Sequence, residues 1–253
     1  MSNIIIAIPA RLESQRLPNK VLADIAGLPM IVRVARQCLK TQTAQNAKVV
    51  IATDSTKVIE VAKQFQIEAI LTAECNSGTE RCQQLVEILA LKTTDIVINV
   101  QGDEPLIPPE NIDQLATIMQ NKHSIDCATL YESITSNEQL DNPNVVKVVV
   151  DKNQFALYFS RHPIPYNRSA NAAALSLYKR HVGIYAYRVQ LLKNLTQLLP
   201  STLEQSEKLE QLRLLENGQS IYIDKAKMPN PSGIDTAADL MKISSFIMSQ
   251  KSV

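Results

Sequence analysis

NIIIAIPARLESQRLPNK, residues 3–20, decides how the rest of the chain is read. Its first half, Asn3 to Ile8, is a near-continuous apolar run stopped by Pro9. A parallel strand covered on both faces reads this way, because neither face meets water. Lys48 to Thr53 (KVVIAT) and Asp95 to Asn99 (DIVIN) repeat the pattern, and Ile67 to Leu71 repeats it more weakly. Between these runs, apolar residues recur at helical spacing: Met30, Ile31, Val34, Ala35, Cys38 and Leu39, then Val58, Ile59, Ala62 and Phe65. Arg81 to Ala90 and Asn111 to Met119 also read as helices. Strand alternating with helix predicts an α/β fold with a parallel sheet covered on both faces. Ligands in such sheets bind beyond the carboxyl ends of the strands.

After about residue 125 the rhythm changes. Asp126 to Tyr131, Val145 to Val150 and His181 to Tyr187 read as strands, while Pro143, Pro163 and Pro165 break any long helix. Residues from roughly 125 to 190 are expected to form a second layer and to offer a subunit interface. Leu203 to Leu215 reads as one helix ended by Asn217-Gly218. Ser220 to Asp224 is a further strand and Asp235 to Met248 a closing helix.

The 253 residues, 45% hydrophobic, suffice for a sizeable core. With 26 basic and 25 acidic residues, no Trp and 4% aromatics, the chain lacks the basic, aromatic face of a nucleic-acid binder. Cys38, Cys75, Cys82 and Cys127 have no CxxC spacing and read as reduced thiols. MSNIIIAIPAR has no basic leader, and no stretch approaches a membrane span, so a cytoplasmic enzyme without membrane insertion is expected.

The second half of the opening stretch, PARLESQRLPNK, places Arg11, Arg16 and Lys20 in a loop with only Glu13 opposing. Arg11 can take two phosphate oxygens at once and Lys20 can act as a point charge. A solvated basic loop is the alternative, but its position at a strand's end and its stiffening by Pro9 and Pro18 favour an anion site. No GxGxxG or GxxxxGK[ST] is present, which argues against a dinucleotide enzyme or a P-loop ATPase. QGDEPLI (101–107) follows another strand; Gly102 permits close backbone approach, and Asp103 and Glu104 sit at the strand end. Asp235, in PSGIDTAADL, is the second isolated carboxylate. Asp103 and Asp235 could hold a phosphate-bound divalent cation from two loops, although Asp235 with Thr236 also reads as a helix cap.

NSGTERC (76–82) offers Ser77, Gly78 and Thr79 at a helix start, with Arg81 in its first turn. RHVGIYAYR (180–188) alternates, so Val182, Ile184 and Ala186 share one face and His181, Gly183, Tyr185 and Tyr187 the other. Glu207, Glu210 and Gln211 are neighbours if residues 204–213 are helical. They could hold sugar hydroxyls or form a solvated face.

Taken in order, IPAR (8–11), RLPNK (16–20), PMI (29–31), ATD (52–54), SGTER (77–81), NVQGDEPLI (99–107), NPNVVKVV (142–149), ALYFSR (156–161), HVGIYAYR (181–188), LEQLR (209–213) and IDT (234–236) resemble the 3-deoxy-manno-octulosonate cytidylyltransferase family over nearly the whole chain. The resemblance implies a single nucleotide-diphospho-sugar transferase domain over 1–253. This is a Rossmann-like three-layer fold with a mostly parallel mixed sheet and a smaller dimerisation region. It implies a homodimer that converts CTP and 3-deoxy-manno-octulosonate (Kdo), an acidic eight-carbon sugar, to CMP-Kdo and pyrophosphate with Mg²⁺. Ala10, Arg11, Lys20, Ser77, Gly78 and Gln101 would then contact the nucleotide, and Asp103 and Asp235 would hold magnesium. Arg81, His181, Tyr185, Glu210 and Gln211 would surround the sugar. Asn19 stands where the family has Gly, Arg180 where Lys is usual, and PSGIDT where GTGVDT is more typical. Activation of 8-amino-Kdo, activation of sialic acid and a non-catalytic sensor of nucleotide sugars are the competing readings.

Overall fold

In the computed structural model, residues 2–13, 17–168, 172–195 and 197–251 are described. Arg16 lies outside them. The first half of the chain alternates as its pattern predicts. It contains β1 (Ile4–Ala10), β2 (Asp24–Ile25), β3 (Leu28–Pro29), α1 (Met30–Leu39), β4 (Lys48–Thr53), α2 (Thr56–Gln64), β5 (Ala69–Leu71), α3 (Gly78–Ile88), β6 (Ile96–Asn99) and α4 (Pro109–Asn121). The second half contributes β7 (Cys127–Ser133), α5 (Asn137–Asp141), β8 (Lys147–Val150), β9 (Ala156–Ser160), β10 (Lys179–Arg188), α6 (Val189–Leu195), α7 (Thr202–Glu207), α8 (Gln211–Glu216), β11 (Tyr222–Lys225) and α9 (Ala237–Lys251).

Nine strands form one mixed sheet in the order β11-β7-β10-β6-β1-β4-β5, with β8 against β10 and β9 against β8. The pairs β1–β4, β1–β6, β4–β5 and β7–β11 are parallel. β10 runs antiparallel to both β6 and β7.

All seven residues of β1 are buried. Its alternate side chains enter two cores. Ile4, Ile6 and Ile8 join α1, α2 and α4 on one face; Ile5 and Ala7 join α3, α6 and α8 on the other. That two-sided burial is why the strand reads as an unbroken apolar run. β10 behaves likewise despite a bulge between Val182 and Tyr185. Val182, Ile184 and Ala186 enter the first core, and Tyr185 and Tyr187 the second.

One expected element is different. Residues 203–215 are not a single helix: α7 ends at Glu207, Lys208 takes a left-handed backbone with φ 53°, and α8 starts at Gln211. The break has a physical cause. Glu207 accepts hydrogen bonds from Ser160 Oγ (2.6 Å) and the Arg161 amide (2.9 Å), while Glu210 accepts from Ser77 and Thr79 on α3. One straight helix would bring the two carboxylates side by side, and their partners lie in different places.

Candidate active site

The carboxyl ends of β1 and β6 are brought together by Gly102. A Cβ there would lie 2.8 Å from the Pro9 carbonyl oxygen, so only glycine lets the two loops touch. The Pro9–Lys20 loop then turns back over them. Asn19 adopts the left-handed conformation, with φ 54°, immediately before a 3₁₀ turn at Lys20–Leu22. Asn tolerates that conformation better than most residues do, and the turn delivers Lys20 to the cavity.

Lys20 is the centre of the arrangement. Its Nζ lies 2.6 Å from Asp103 Oδ2 and 3.2 Å from Asp235 Oδ1. Residues more than two hundred positions apart thus meet at one ammonium group. They border a cavity of about 890 Å³ whose walls also carry Ala10, Arg11, Ser77, Gly78, Arg81 and Gln101. Arg11 is exposed at the rim. Ser77 caps α3, its Oγ accepting the Glu80 amide at 3.2 Å. Gly78 packs beneath Pro9.

A second cavity, of about 40 Å³, is lined by Gln101, Asn99, Tyr185, Tyr187, Glu210 and Gln211 among others, so Gln101 borders both. Tyr185 and Tyr187 stack with ring centroids 5.5 Å apart. The Tyr185 hydroxyl is buried without a hydrogen-bond partner among the described residues. Glu210 accepts from Ser77 Oγ at 2.7 Å and Thr79 Oγ1 at 2.6 Å, tying α8 to the start of α3.

Two of the residues singled out in the sequence are engaged elsewhere. Arg81 borders the large cavity, but its buried guanidinium pairs with Asp54 Oδ2 at 2.5 Å and donates to Thr72 Oγ1 at 2.6 Å. Asp54 belongs to the ATD stretch, which gave the only sequence hint of this pair. His181 borders neither cavity. Its Nε2 lies 2.9 Å from Thr129 Oγ1, and its ring packs between Phe159 and Tyr185 at centroid distances of 5.0 and 5.2 Å. Burial, with neighbouring Arg180, pushes its pKa down to about 3, so the ring is neutral near pH 7. Glu104 moves the other way: burial and then Asp103 raise it to about 7. Cys75 lies on the large cavity wall and Asn99 and Tyr187 on the small one; Tyr187 shares the alternating face read for residues 180–188, whereas Cys75 and Asn99 carried no site signal.

The donor set fits a hard divalent cation. Two carboxylates aimed at one point are what magnesium takes from a protein when phosphates and water supply its other ligands. Among the described residues no group of three or more His, Cys, Asp and Glu is gathered, so a cation here would need that help.

A sequence model described as cytidylyltransferase matches residues 5–221. The 3-deoxy-manno-octulosonate cytidylyltransferase of Francisella tularensis strain SCHU S4 is 49% identical over 247 residues, covering 96% of this chain and 98% of the relative. The chain belongs to that cytidylyltransferase family. The protein of the same description from Pseudoalteromonas translucida is 46% identical over 253 residues, covering 97% and 98%. Among solved structures, CMP:2-keto-3-deoxy-manno-octonic acid synthetase complexed with CTP superposes with a TM-score of 0.91 at 41% identity, covering 98% of this chain and all of that one. A cytidylyltransferase from Leptospira borgpetersenii, at 15% identity and a TM-score of 0.60, shares the fold. Membership makes the chain an enzyme of the nucleotidyltransferase class on a Rossmann-like mixed sheet. Among the described residues no helix is long and apolar enough to cross a membrane.

Proposed function

We propose that the protein activates Kdo with CTP, giving CMP-Kdo and pyrophosphate for the core of lipopolysaccharide. The observation that carries this is the convergence of Lys20, Asp103 and Asp235 on one point of the large cavity, in a chain whose near relatives bear that activity's name. The C2 hydroxyl of the sugar attacks the α-phosphorus of CTP in line. A new P–O bond forms, the bond to the bridging oxygen breaks, and pyrophosphate leaves with that electron pair. Arg11 and Lys20 hold the phosphate oxygens, and Lys20 faces the charge that builds there. Ala10, Ser77, Gly78 and Gln101 line the nucleotide's position. Asp103 and Asp235 would hold Mg²⁺, which when bound would supply charge stabilisation on the phosphates and acidify the attacking hydroxyl; the hydroxyl proton leaves to water.

The small cavity, at about 40 Å³, is assigned to one end of the sugar, whose remainder lies in the large cavity that Gln101 also borders. The Tyr185 hydroxyl, unpartnered among the described residues, offers the sugar a hydrogen bond, as do Glu210 and Gln211, and Gln101 joins sugar to nucleotide. Arg81 acts through the α3 start, and His181 orients the tyrosine face as a neutral ring. A cytoplasmic homodimer belongs to the same reading, with residues 125–190 as the interface. Leu157 on strand β9, 60% exposed, supports that part, and light scattering tests it.

Pyrophosphate release with CTP and magnesium, offering Kdo, 8-amino-Kdo and sialic acid in parallel, tests the assignment. Release with Kdo is expected. Preference for 8-amino-Kdo or sialic acid would change the substrate while keeping the chemistry. No release with any of them from folded protein would point first to other nucleotides and then to the sensor reading.

A further inference from the structure

Asp235 reaches the cavity at the end of a segment, residues 226–234, that belongs to no helix or strand. A free chain of that length would not hold a carboxylate to ångström accuracy. Side chains from three elements do so instead. On α4, Asn111 donates to the Met228 carbonyl at 2.9 Å and accepts the Met228 amide at 3.0 Å. One turn on, Gln114 donates to the Lys225 carbonyl at 2.8 Å and accepts the Lys227 amide at 3.0 Å. Both amides are buried, and both imitate the pairing a neighbouring strand would give.

Further along, an ion pair takes over. Arg180 Nε on β10 lies 2.8 Å from Glu132 Oε2 on β7. The other oxygen of Glu132 accepts the Asn230 amide, and Arg180 donates a second bond to the Asn230 carbonyl. One ion pair therefore grips both backbone groups of Asn230. The Asn230 side chain then donates to Glu104 at 3.1 Å, and the Ile234 amide donates to the Asp103 carbonyl at 2.9 Å. A Cβ on Gly233 would come within 3.2 Å of that same carbonyl, so the two carboxylate-bearing loops lie in contact.

Burying two amides, and half-burying an ion pair, is costly unless the partners are met. Here the partners are the backbone of one irregular segment, and the segment ends at Asp235. We propose that Asn111, Gln114, Glu132 and Arg180 are positioning residues that set the spacing between the Asp103 and Asp235 carboxylates, and through it the affinity for the divalent cation. None of the four borders either cavity. The inference rests on the metal reading of those two carboxylates. It also gives the Arg at position 180 a reason: a guanidinium can serve Glu132 and the Asn230 carbonyl at once, and an ammonium, as a point charge, does so less well.

The test compares wild type, Glu132→Gln, Arg180→Lys and Asp103→Asn. Mn²⁺ binding to the CTP complexes, without sugar and against CTP alone, is followed by electron paramagnetic resonance, and Mg²⁺ activation of turnover is measured beside it. Residues that orient metal ligands typically change affinity by about 10- to 100-fold when mutated. Glu132→Gln is expected to weaken Mn²⁺ binding about tenfold, at the lower end of that range, and Arg180→Lys less. In both, the KM for the sugar should stay unchanged and excess Mg²⁺ should restore kcat. Thermal melting confirms folding, and if Glu132→Gln does not fold, the charge-preserving Arg180→Lys carries the test. Folded variants with lowered kcat and unaltered metal affinity would overturn the proposal. An Asp103→Asn protein that binds Mn²⁺ as wild type does would overturn the metal reading, and this inference with it.

Discussion

The two cavities share Gln101 but are built by different forces. The large one is assembled from loops at the ends of parallel strands, and its strongest contacts are between charges: Lys20 with Asp103 and Asp235, Arg81 with Asp54. The small one is cut into the packed face of β10 and α8, where stacked tyrosines and a doubly bonded Glu210 leave little room. Charge assembles the first and shape the second. Substitutions should therefore separate them, the first through metal and phosphate, the second through the sugar.

Lys20→Met should give the largest effect, with opposite signs in two measurements. Removing one preorganised charge from a phosphate site costs roughly 10²–10³-fold in turnover. The same change frees Asp103 and Asp235 from their ammonium partner, so Mn²⁺ should bind the nucleotide-free variant more tightly than it binds wild type. Loss of turnover together with weaker Mn²⁺ binding would mean that Lys20 supports the carboxylates rather than competing with the metal for them.

Glu210→Gln probes the other cavity. Its carboxylate accepts two hydroxyl bonds, and a bond to a charged group is worth about 1.5–3 kcal/mol. Only part of that is lost to an amide, so the sugar KM should rise about tenfold and the KM for CTP less. Equal rises in both would show that the cavities act as one site, because Ser77 links them.

Gly102→Ala sharpens the comparison at the shared floor. The new Cβ would lie 2.8 Å from Pro9 oxygen, which is backbone and cannot swing away. Overpacking of this kind costs about 1–3 kcal/mol, read as a lower Tm. An unchanged Tm would mean that the β1 and β6 loops give way easily, and that the metal site is softer than its contacts suggest.

The same contrast explains what the sequence disclosed. β1, β4 and β6 were legible because burial on both faces writes itself as an apolar run, and β10 because alternate residues enter different cores. The large cavity was legible because its residues cluster at strand ends, where α/β sheets bind ligands. Gly102 and Asn19 announced their backbone roles by residue type. The small cavity was less so. Its Glu210 is held by Ser77 and Thr79, more than 130 positions away, and those bonds with Glu207's break a helix that local spacing favours. Likewise Asn111 and Gln114 look like the polar face of α4, and only the fold shows them buried against residues 225–228. Local pattern reports burial; it does not report which distant backbone a polar side chain will meet.

The smallest expected effect concerns two shifted groups, one near each cavity, whose influences on stability oppose each other. His181 has its pKa lowered from 6.5 to about 3 by burial and Arg180, so the native state resists a proton that the unfolded chain accepts. Its contribution is complete above pH 6.5 and is lost as pH falls towards 3. Glu104 is raised from 4.5 to about 7, so the native state keeps a proton that the unfolded chain releases. Its contribution is complete below pH 4.5 and is lost as pH rises through 7. Between pH 4.5 and 6.5 each could contribute a slope of at most about 1.4 kcal/mol per pH unit, of opposite sign. Wild type should therefore change little across this window on their account. Denaturant unfolding of His181→Asn, from which the first slope is gone, should show stability declining more with rising pH than in wild type; Glu104→Gln should show it rising more. Parallel profiles for all three proteins would mean that water reaches both groups, and that the packed face of β10 is no drier than the loops opposite.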